Sequence, residues 1–265
     1  MNCSRCQVVV LIPSYNTGRI LASVVREALG RHDHVWVLVD GSTDGSADPL
    51  RTWSSEFPGF RLIEFSENRG KGATLLEGAR LAVEAGFTHG INMDSDGQHP
   101  AAYLPNLVAW AERESDALIM GRPVFDESVP LVRLMGRQLT LAMTDYESAG
   151  YGLGDTLYGF RVYPLEPLLQ AFEQTKCARG YDFDPEIAVR LFWLGIRPVQ
   201  VSIPVRYLSA EAGGVSHFHY LRDNVKLTLL HFRLVPEFLF QKQHTLSPLI
   251  RRWKHACDNP RELAI

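Results

Sequence analysis

The first half of the chain alternates between short apolar runs and amphipathic segments. Residues 8–12 and 35–39 are continuous apolar runs rich in valine, which predict strands buried on both faces. Apolar residues that recur every three or four positions predict helices between the strands. The predicted strands are 8–12, 35–39, 61–65, 90–93 and 117–120, and the predicted helices are 20–29, 71–85 and 101–114. The alternation predicts an α/β fold with a mainly parallel sheet flanked by helices.

The second half is predicted to be mostly helical. Helices are expected over 131–143, 164–174 and 185–194, with a glycine-rich loop at 150–154 and a further strand at 198–205. Residues 218–240 predict a last helix with a kink or break at Pro236, because proline cannot donate a helical hydrogen bond. We therefore expect a main domain over 1–216 and a C-terminal helical extension over 217–265.

The composition is that of a globular protein, with 265 residues, 46% apolar residues and a net charge of −3. It excludes a disordered tail, a collagen-like chain and a polybasic protein that coats nucleic acid. No uncharged apolar stretch approaches the roughly 18 residues of a membrane span. We therefore expect a cytoplasmic protein that does not bind nucleic acid.

The charge is unevenly distributed. Residues 217–265 contain eight lysines and arginines against four acidic residues, a net charge of +4, which leaves −7 on residues 1–216. Within this extension an apolar stripe that includes Val225, Leu229 and Phe232 is bordered by Arg222, Lys226 and Arg233. Two interpretations stay open. The helix either docks on the domain with its charges in water, or lies in a membrane interface with its basic residues on anionic lipid.

Polar segments follow each of the five predicted strands, and ligands bind beyond the carboxyl ends of parallel strands in open α/β sheets. We therefore expect these segments to form one site. The clearest chemistry lies in Asp94, Asp96 and Gln98, whose oxygens suit Mg²⁺ or Mn²⁺. An isolated D-x-D is more often a solvated turn, but this one follows a buried strand beside four other polar strand ends.

The segment at 70–72, Gly-Lys-Gly, opens a predicted helix and could bind phosphate through its amides or simply cap the helix. It is neither a Walker A loop nor a dinucleotide-binding loop, because Phe65 and Leu75 replace the required glycines. No G-x-S-x-G or H-E-x-x-H motif is present in the sequence.

Together these segments resemble those of family 2 glycosyltransferases of the GT-A fold, and among them the polyprenol-phosphate (dolichol-phosphate) mannose and glucose synthases. The resemblance runs in order from about Val8 to His231. Its motifs are IPSYN at 12–16, DGSTDG at 40–45, NRGKG at 68–72, DSDGQHP at 94–100, GR at 121–122, DTLYGFR at 155–161, GYDFDPE at 180–186, VSIPVRY at 201–207 and GVSH at 214–217.

The resemblance implies a role for each of these segments. The implied donor-binding residues are Pro13, Tyr15, Asp40, Gly41, Ser42, Lys71, Asp94, Asp96 and Arg122. The implied metal ligands are Asp94, Asp96 and Gln98, the implied acceptor-binding residues are Arg206, Ser216 and His217, and the implied catalytic residues are Asp96, Asp155 and Glu186.

The implied reaction is an inverting transfer of a hexose from a GDP- or UDP-sugar to a polyprenyl phosphate, with Mg²⁺ or Mn²⁺, at the cytoplasmic face of a membrane. A lipid phosphate is already an anion, whereas an acceptor hydroxyl would need a base, for which Asp155 is the first candidate. The alternatives are the same chemistry on a hydroxyl acceptor and a sugar-nucleotide-binding protein without catalysis.

The sequence departs from the family pattern at four positions. Val39 and Thr17 replace acidic residues, Glu211 replaces an arginine and His217 replaces a lysine. Two positive charges expected near the phosphates are therefore lost, one of them conditionally, because histidine can protonate.

Overall fold

The computed structural model describes residues 6–124, 131–175, 180, 182–205 and 220–241. These described residues form seven strands, seven α-helices and three short 3-10 helices. The strands are β1 (Val8–Ser14), β2 (Val35–Asp40), β3 (Phe60–Phe65), β4 (His89–Asn92), β5 (Ala117–Val124), β6 (Arg161–Pro164) and β7 (Arg197–Pro204). The helices are α1 (Ile20–Leu29), α2 (Lys71–Glu84), α3 (Leu104–Arg113), α4 (Leu131–Glu147), α5 (Leu165–Gln174), α6 (Phe183–Trp193) and α7 (Tyr220–Gln241).

The strands form one sheet in the order β3-β2-β1-β4-β6-β5-β7. Strands β3, β2, β1 and β4 pair in parallel, as do β5 and β7, whereas β6 is antiparallel to both of its neighbours. The mainly parallel α/β sheet is therefore confirmed. Since parallel strands end at the same edge, the segments after β1, β2, β3 and β4 lie together there.

Helices cover both faces of the sheet, which explains the continuous apolar runs. Successive residues of β1 point to opposite sides, so that Val10 and Ile12 pack with α1 and α3, while Val9 and Leu11 pack with α2, α5 and α6. All seven residues of β1 are buried.

One strand and several element boundaries differ from the sequence prediction. Strand β6 was not predicted, because its four residues begin with an arginine and end with a proline, a composition unlike that of the other central strands. Helix α4 extends further than predicted, to Glu147, and helix α6 begins two residues earlier, at Phe183, and ends one residue earlier, at Trp193. Helix α7 continues through Pro236 to Gln241, so the chain does not break at that proline.

Helix α7 docks on the domain through one of its two apolar faces. Leu230, Leu234 and Phe238 form a buried cluster with Val189, Phe192 and Trp193 of α6. The apolar stripe predicted from the sequence is on the other side, where Val225, Leu229 and Phe232 are exposed. The docked interpretation is therefore correct for one face, and the predicted stripe is a second apolar face. Among the described residues, no helix combines the length and hydropathy that crossing a bilayer requires.

Candidate active site

Hydrogen bonds join the segments that follow β1 and β2. The Asn16 amide donates to Ser42 Oγ at 3.0 Å, and Asn16 Oδ1 accepts from the Thr43 amide at 2.8 Å. Asp44 Oδ2 accepts from the Gly18 amide at 2.8 Å. Burial opposes ionisation of Asp44, but hydrogen bonds from Ser46 and Gly18 outweigh it and lower the pKa of that carboxyl. The two segments therefore form one connected rim, beside which Tyr15 is partly exposed.

Asp40 connects this rim to the segment after β3. Its two carboxylate oxygens accept hydrogen bonds from the Arg69 and Gly70 amides, each at 2.8 Å. The adjacent Gly41 has a φ of +67°, and a Cβ at that position would lie 2.5 Å from the Asn68 nitrogen. Asp40 thus fixes the start of α2. Its predicted contact with the donor base or ribose stays a prediction, as do those of Pro13, Gly41 and Ser42.

A chain of buried hydroxyl groups connects the segment after β1 to the segment after β4. The latter contains Asp94, Ser95 and Asp96, called here the D-S-D turn. Ser14 Oγ lies 2.8 Å from Thr17 Oγ1, which lies 3.0 Å from Ser95 Oγ. Thr17 stands where the family pattern has an acidic residue. In this chain the position therefore has a neutral role that ties β1 to the turn holding Asp94 and Asp96.

His99 holds the D-S-D turn through a hydrogen bond to its backbone. Its Nδ1 accepts a hydrogen bond from the Asp94 amide at 2.9 Å, and its ring stacks on Phe160 with centroids 4.8 Å apart. Burial lowers the pKa of His99 to about 4, so the ring is neutral near pH 7. A neutral ring that accepts at Nδ1 has its proton on Nε2, which lies 3.8 Å from Asp94 Oδ2.

Lys71 is held between two carboxylates. Its Nζ lies 2.9 Å from Asp94 Oδ1 and 2.8 Å from Asp184 Oδ2. Burial alone would lower the pKa of the ammonium group, but Asp184 and Asp94 outweigh it and raise that pKa. In the same way burial opposes ionisation of Asp94, while Lys71 lowers the pKa of this carboxyl. Lys71 and Asp94 are therefore both charged.

Among the described residues, no salt bridge joins Asp96 to a cation. Burial and the neighbouring Asp94 raise the pKa of Asp96 to about 6. One of its oxygens accepts the Gln98 amide at 3.0 Å. The turn therefore has an excess of negative charge, which a divalent cation would neutralise.

The residues present fit Mg²⁺ or Mn²⁺. Such ions are commonly bound by one or two carboxylates together with substrate phosphates and water. Within the part of the chain that the structure describes, no three His, Cys, Asp or Glu side chains converge in a way that could bind a metal ion. Asp94, Asp96 and Gln98 would therefore supply only part of the coordination, and the donor diphosphate would complete it.

Three residues near the turn were missed by the sequence analysis: Asn92, Asp184 and Arg161. Asn92 Nδ2 donates to the Gly159 carbonyl at 2.8 Å. The Arg161 guanidinium is fully buried and donates to the backbone carbonyls of Tyr158 and Asp184, at 2.9 and 2.7 Å. Asp184 lies in the motif at 180–186, but that motif alone did not distinguish it from Glu186.

Position 159 in the motif at 155–161 is a glycine because the structure leaves little room there for a side chain. A Cβ at this position would lie 2.8 Å from Lys71 Nζ and 3.2 Å from Asp94 Oδ2. Any side chain here would therefore disturb the ion pair between Lys71 and Asp94.

The two other predicted catalytic carboxylates are bound to arginines. Asp155 Oδ2 accepts from Arg137 Nε at 2.5 Å, and its Oδ1 accepts from the Leu157 amide at 3.0 Å. Glu186 is fully buried, and it accepts from Arg190 Nε at 2.8 Å and from Arg233 Nη2 at 3.0 Å. Burial raises the pKa of Glu186. Glu186 therefore joins α6 to α7 in this structure, and the catalytic roles of both carboxylates stay predictions.

Arg122 lies within β5, opposite Ser202 of β7, and is exposed. Its predicted contact with the donor stays a prediction. The three predicted acceptor-binding residues, Arg206, Ser216 and His217, lie outside the described residues.

The chain is similar in sequence to two proteins of known function. The chain is 29% identical over 216 residues to an undecaprenyl-phosphate mannosyltransferase of Micrococcus luteus, covering 78% of this chain and 86% of the relative. It is 27% identical over 222 residues to a polyprenol monophosphomannose synthase of Mycolicibacterium smegmatis, covering 78% of this chain and 79% of the relative.

Among solved structures, a mannosyltransferase of Pyrobaculum calidifontis in complex with GDP-Man and Mn²⁺ aligns with a TM-score of 0.60 and 19% identity. The alignment covers 89% of this chain and 65% of that structure. This likeness supports the GT-A type of the fold. Residues 9–174 match the model of the family described as "Glycosyl transferase family 2". Because the match spans more than half of the chain, the protein belongs to this family of glycosyltransferases.

Proposed function

We propose that the protein transfers a hexose from a GDP- or UDP-sugar to a polyprenyl phosphate, with inversion at the anomeric carbon and with Mg²⁺ or Mn²⁺ bound. The family assignment supports the transfer of a sugar. The names of the two relatives support the lipid phosphate acceptor and favour mannose as the sugar. The solved mannosyltransferase supports a nucleotide donor held with a divalent cation.

The observation that carries the proposal is the uneven charge of the D-S-D turn. Lys71 neutralises Asp94, while Asp96 is left with a pKa of about 6 because it is partly buried beside another carboxylate. Asp94, Asp96 and Gln98 would hold the metal ion. When bound, that ion stabilises the charge that develops on the departing nucleoside diphosphate.

The chemistry needs little from the protein beyond positioning. A phosphate oxygen of the acceptor attacks the anomeric carbon, and the bond from that carbon to the diphosphate oxygen breaks with its electron pair on the leaving group. Because the acceptor is already an anion, no general base is required. An acceptor hydroxyl would need one, and Asp155 is engaged by Arg137 and by the Leu157 amide. The proposal therefore favours the phosphate acceptor.

The proposal also gives roles to the residues around the turn. The nucleotide would lie beside the rim, at the residues Pro13, Tyr15, Asp40, Gly41 and Ser42. Lys71 and Arg122 would lie nearer to its phosphates. Arg206, Ser216 and His217 would contact the acceptor phosphate. The reaction would take place in the cytoplasm at a membrane surface, where a lipid phosphate and a soluble nucleotide sugar can meet.

The test is a panel of GDP- and UDP-hexoses incubated with a polyprenyl phosphate, with products identified by mass. We expect one donor to yield a polyprenyl phosphohexose only when Mg²⁺ or Mn²⁺ is added. Asp96→Asn should reduce this transfer at least about a hundredfold. Asp48→Asn, which changes an exposed aspartate in a short 3-10 helix, is the matched control and should leave the transfer unchanged. Transfer to a hydroxyl acceptor alone, or none with any donor, would contradict the proposal.

A further inference from the structure

Large exposed apolar side chains are concentrated on two helices. The described residues include nine of them, and seven lie on α4 or α7. Phe232 and Phe240 are 75% and 69% exposed. The seven residues, called here the α4–α7 apolar surface, are Leu139, Tyr146, Val225, Leu229, Phe232, Leu239 and Phe240.

The exposed residues of α7 form a continuous stripe opposite its buried face. Val225, Leu229, Phe232 and Leu239 follow each other at helical spacing. The buried residues Leu230 and Leu234 lie about 180° away on the helix. A helix that only docks on a domain needs one apolar face. The second face of α7 therefore calls for something else to cover it.

Helix α4 extends the surface beside α7. The two helices are in contact, and the ring of Tyr146 meets that of Phe238 at 5.2 Å between centroids. Tyr146 itself is 49% exposed, and Leu139 lies two turns earlier on the same helix. Helix α4 thus flanks α7 along its docked face, and Leu139 and Tyr146 are exposed there.

The α4–α7 apolar surface is firmly attached to the domain that carries the site. His231 Nδ1 lies 2.9 Å from Glu147 Oε1, which joins α7 to α4. Arg233 donates to Glu186 of α6, and Arg190 of α6 donates to Glu237 of α7. Helix α6 also carries Asp184, which binds Lys71 beside the D-S-D turn.

We propose that the α4–α7 apolar surface binds the surface of an anionic lipid bilayer. The inference rests on the proposed function, since a polyprenyl phosphate is reached only at a membrane. Helix α7 has three basic residues against two acidic ones, and Lys226, which is adjacent to Val225, is exposed and can contact anionic lipid. Exposed phenylalanine and leucine beside basic residues are typical of interfacial helices.

The experiment is co-sedimentation of the full chain with phosphatidylcholine vesicles, with and without phosphatidylglycerol. We expect binding that increases with phosphatidylglycerol. Leu229→Gln/Phe232→Gln should weaken it about tenfold or more, because two exposed apolar groups no longer enter the interface. Both positions are more than half exposed, so the fold should be retained. Val124→Gln changes an exposed apolar residue of β5, outside the surface, and is the matched control.

Three outcomes would overturn the inference: a wild type that does not sediment, a double variant that binds as the wild type does, or a dimer in light scattering that the double variant converts to a monomer. The last would show that a second copy covers the surface. Transfer to a short, water-soluble polyprenyl phosphate separates this inference from the proposed function. The double variant should retain that transfer. If neither the wild type nor the double variant transfers the sugar, while vesicle binding is as expected, then the proposed function is wrong and the membrane-binding surface is still supported.

Discussion

Lys71 Nζ lies 2.8 Å from Asp184 Oδ2, which joins residues 113 positions apart in the sequence. The same ammonium group lies 2.9 Å from Asp94 Oδ1. Asp184 therefore acts on the D-S-D turn through Lys71, and helix α6 takes part in fixing the position of Asp94.

Asp184→Asn tests this relationship. The change leaves the buried Lys71 with one charged partner instead of two, so we expect a loss of about 2 kcal/mol in the free energy of unfolding. Asp94 would also be held less firmly, and the Mn²⁺-dependent affinity for the donor should fall. Urea unfolding and donor titration with and without Mn²⁺ measure the two effects. Glu166→Gln, at an exposed acidic position in α5, serves as the control. Unchanged stability and affinity would show that the pair has no positioning role.

Gly159→Ala tests the space above Lys71 Nζ. A methyl group there would lie 2.8 Å from Nζ, too close for an unaltered ion pair with Asp94. We expect donor affinity in the presence of Mn²⁺ to fall about tenfold, because Lys71 Nζ must move and its ion pair with Asp94 changes. Isothermal titration measures this loss. Gly30→Ala, where the nearest atoms lie at an ordinary 3.5 Å, should have no effect on donor binding. Equal donor affinity in the two variants would contradict the steric interpretation.

The pKa of Asp96 predicts how metal binding depends on pH. Below about pH 6 a proton competes with the cation for this carboxyl, so the affinity for Mn²⁺ should fall by up to about tenfold per pH unit. Titration of Mn²⁺ between pH 5 and 8 measures the slope. An affinity that does not change between pH 5 and 7 would contradict the environment assigned to Asp96.

The same pKa predicts the stability of the metal-free protein. Because the folded state raises the pKa of Asp96 from 3.8 to about 6, its contribution is favourable below pH 3.8 and is lost as the pH rises through 6. Asp96→Asn removes the charge and should stabilise the metal-free protein at pH 7.5 by about 1 kcal/mol, reduced by the partial access of water to this side chain. The gain should disappear near pH 4. Urea unfolding with a chelator present measures both, and a destabilised variant at pH 7.5 would contradict the prediction.

The buried and exposed faces of α7 predict different losses of stability for two leucines of this helix. Leu234 is fully buried, and Leu234→Ala should lower the free energy of unfolding by about 2–4 kcal/mol by leaving a cavity against α6. Leu229 is 62% exposed, and Leu229→Ala should change it by less than about 0.5 kcal/mol. Equal effects in urea unfolding would mean that α7 does not dock as described.

Much of the fold could be predicted from the sequence, because buried parallel strands need continuous apolar runs and these are visible locally. The gathering of polar segments at one edge could also be predicted, since it follows from the direction of the strands. Asp40 accepts hydrogen bonds from two amides of the third segment, and Thr17 Oγ1 lies within hydrogen-bonding distance of Ser95 Oγ in the fourth, which confirms it.

What could not be predicted depends on contacts between distant residues. Strand β6 is too short and too polar at its first residue to be visible as a strand, and only its position between β4 and β5 defines it. The motif at 180–186 contains three acidic residues: Asp182, just before α6, and Asp184 and Glu186, in its first turn. Which of them turns toward Lys71 and which toward Arg233 depends on how α6 packs, and not on the residue types. The sequence prediction identified only one apolar face of α7. Which of its two apolar faces packs against α6 depends on how the helices dock, and not on the residue types.

The central place of β6 in the sheet has a consequence for the order in which the site is completed during synthesis. The residues just before this strand, Gly159 and Phe160, enclose Lys71 and His99, and Asp184 comes later still. Synthesis proceeds from the N-terminus, so the aspartates at 94 and 96 leave the ribosome long before the groups that surround them. The donor side of the protein is thus encoded early but finished late. A nascent chain that ends at Val124 contains the residues of β1 to β5, yet it lacks Gly159 and Asp184, which lie against the lysine, and both strands that pair with β5.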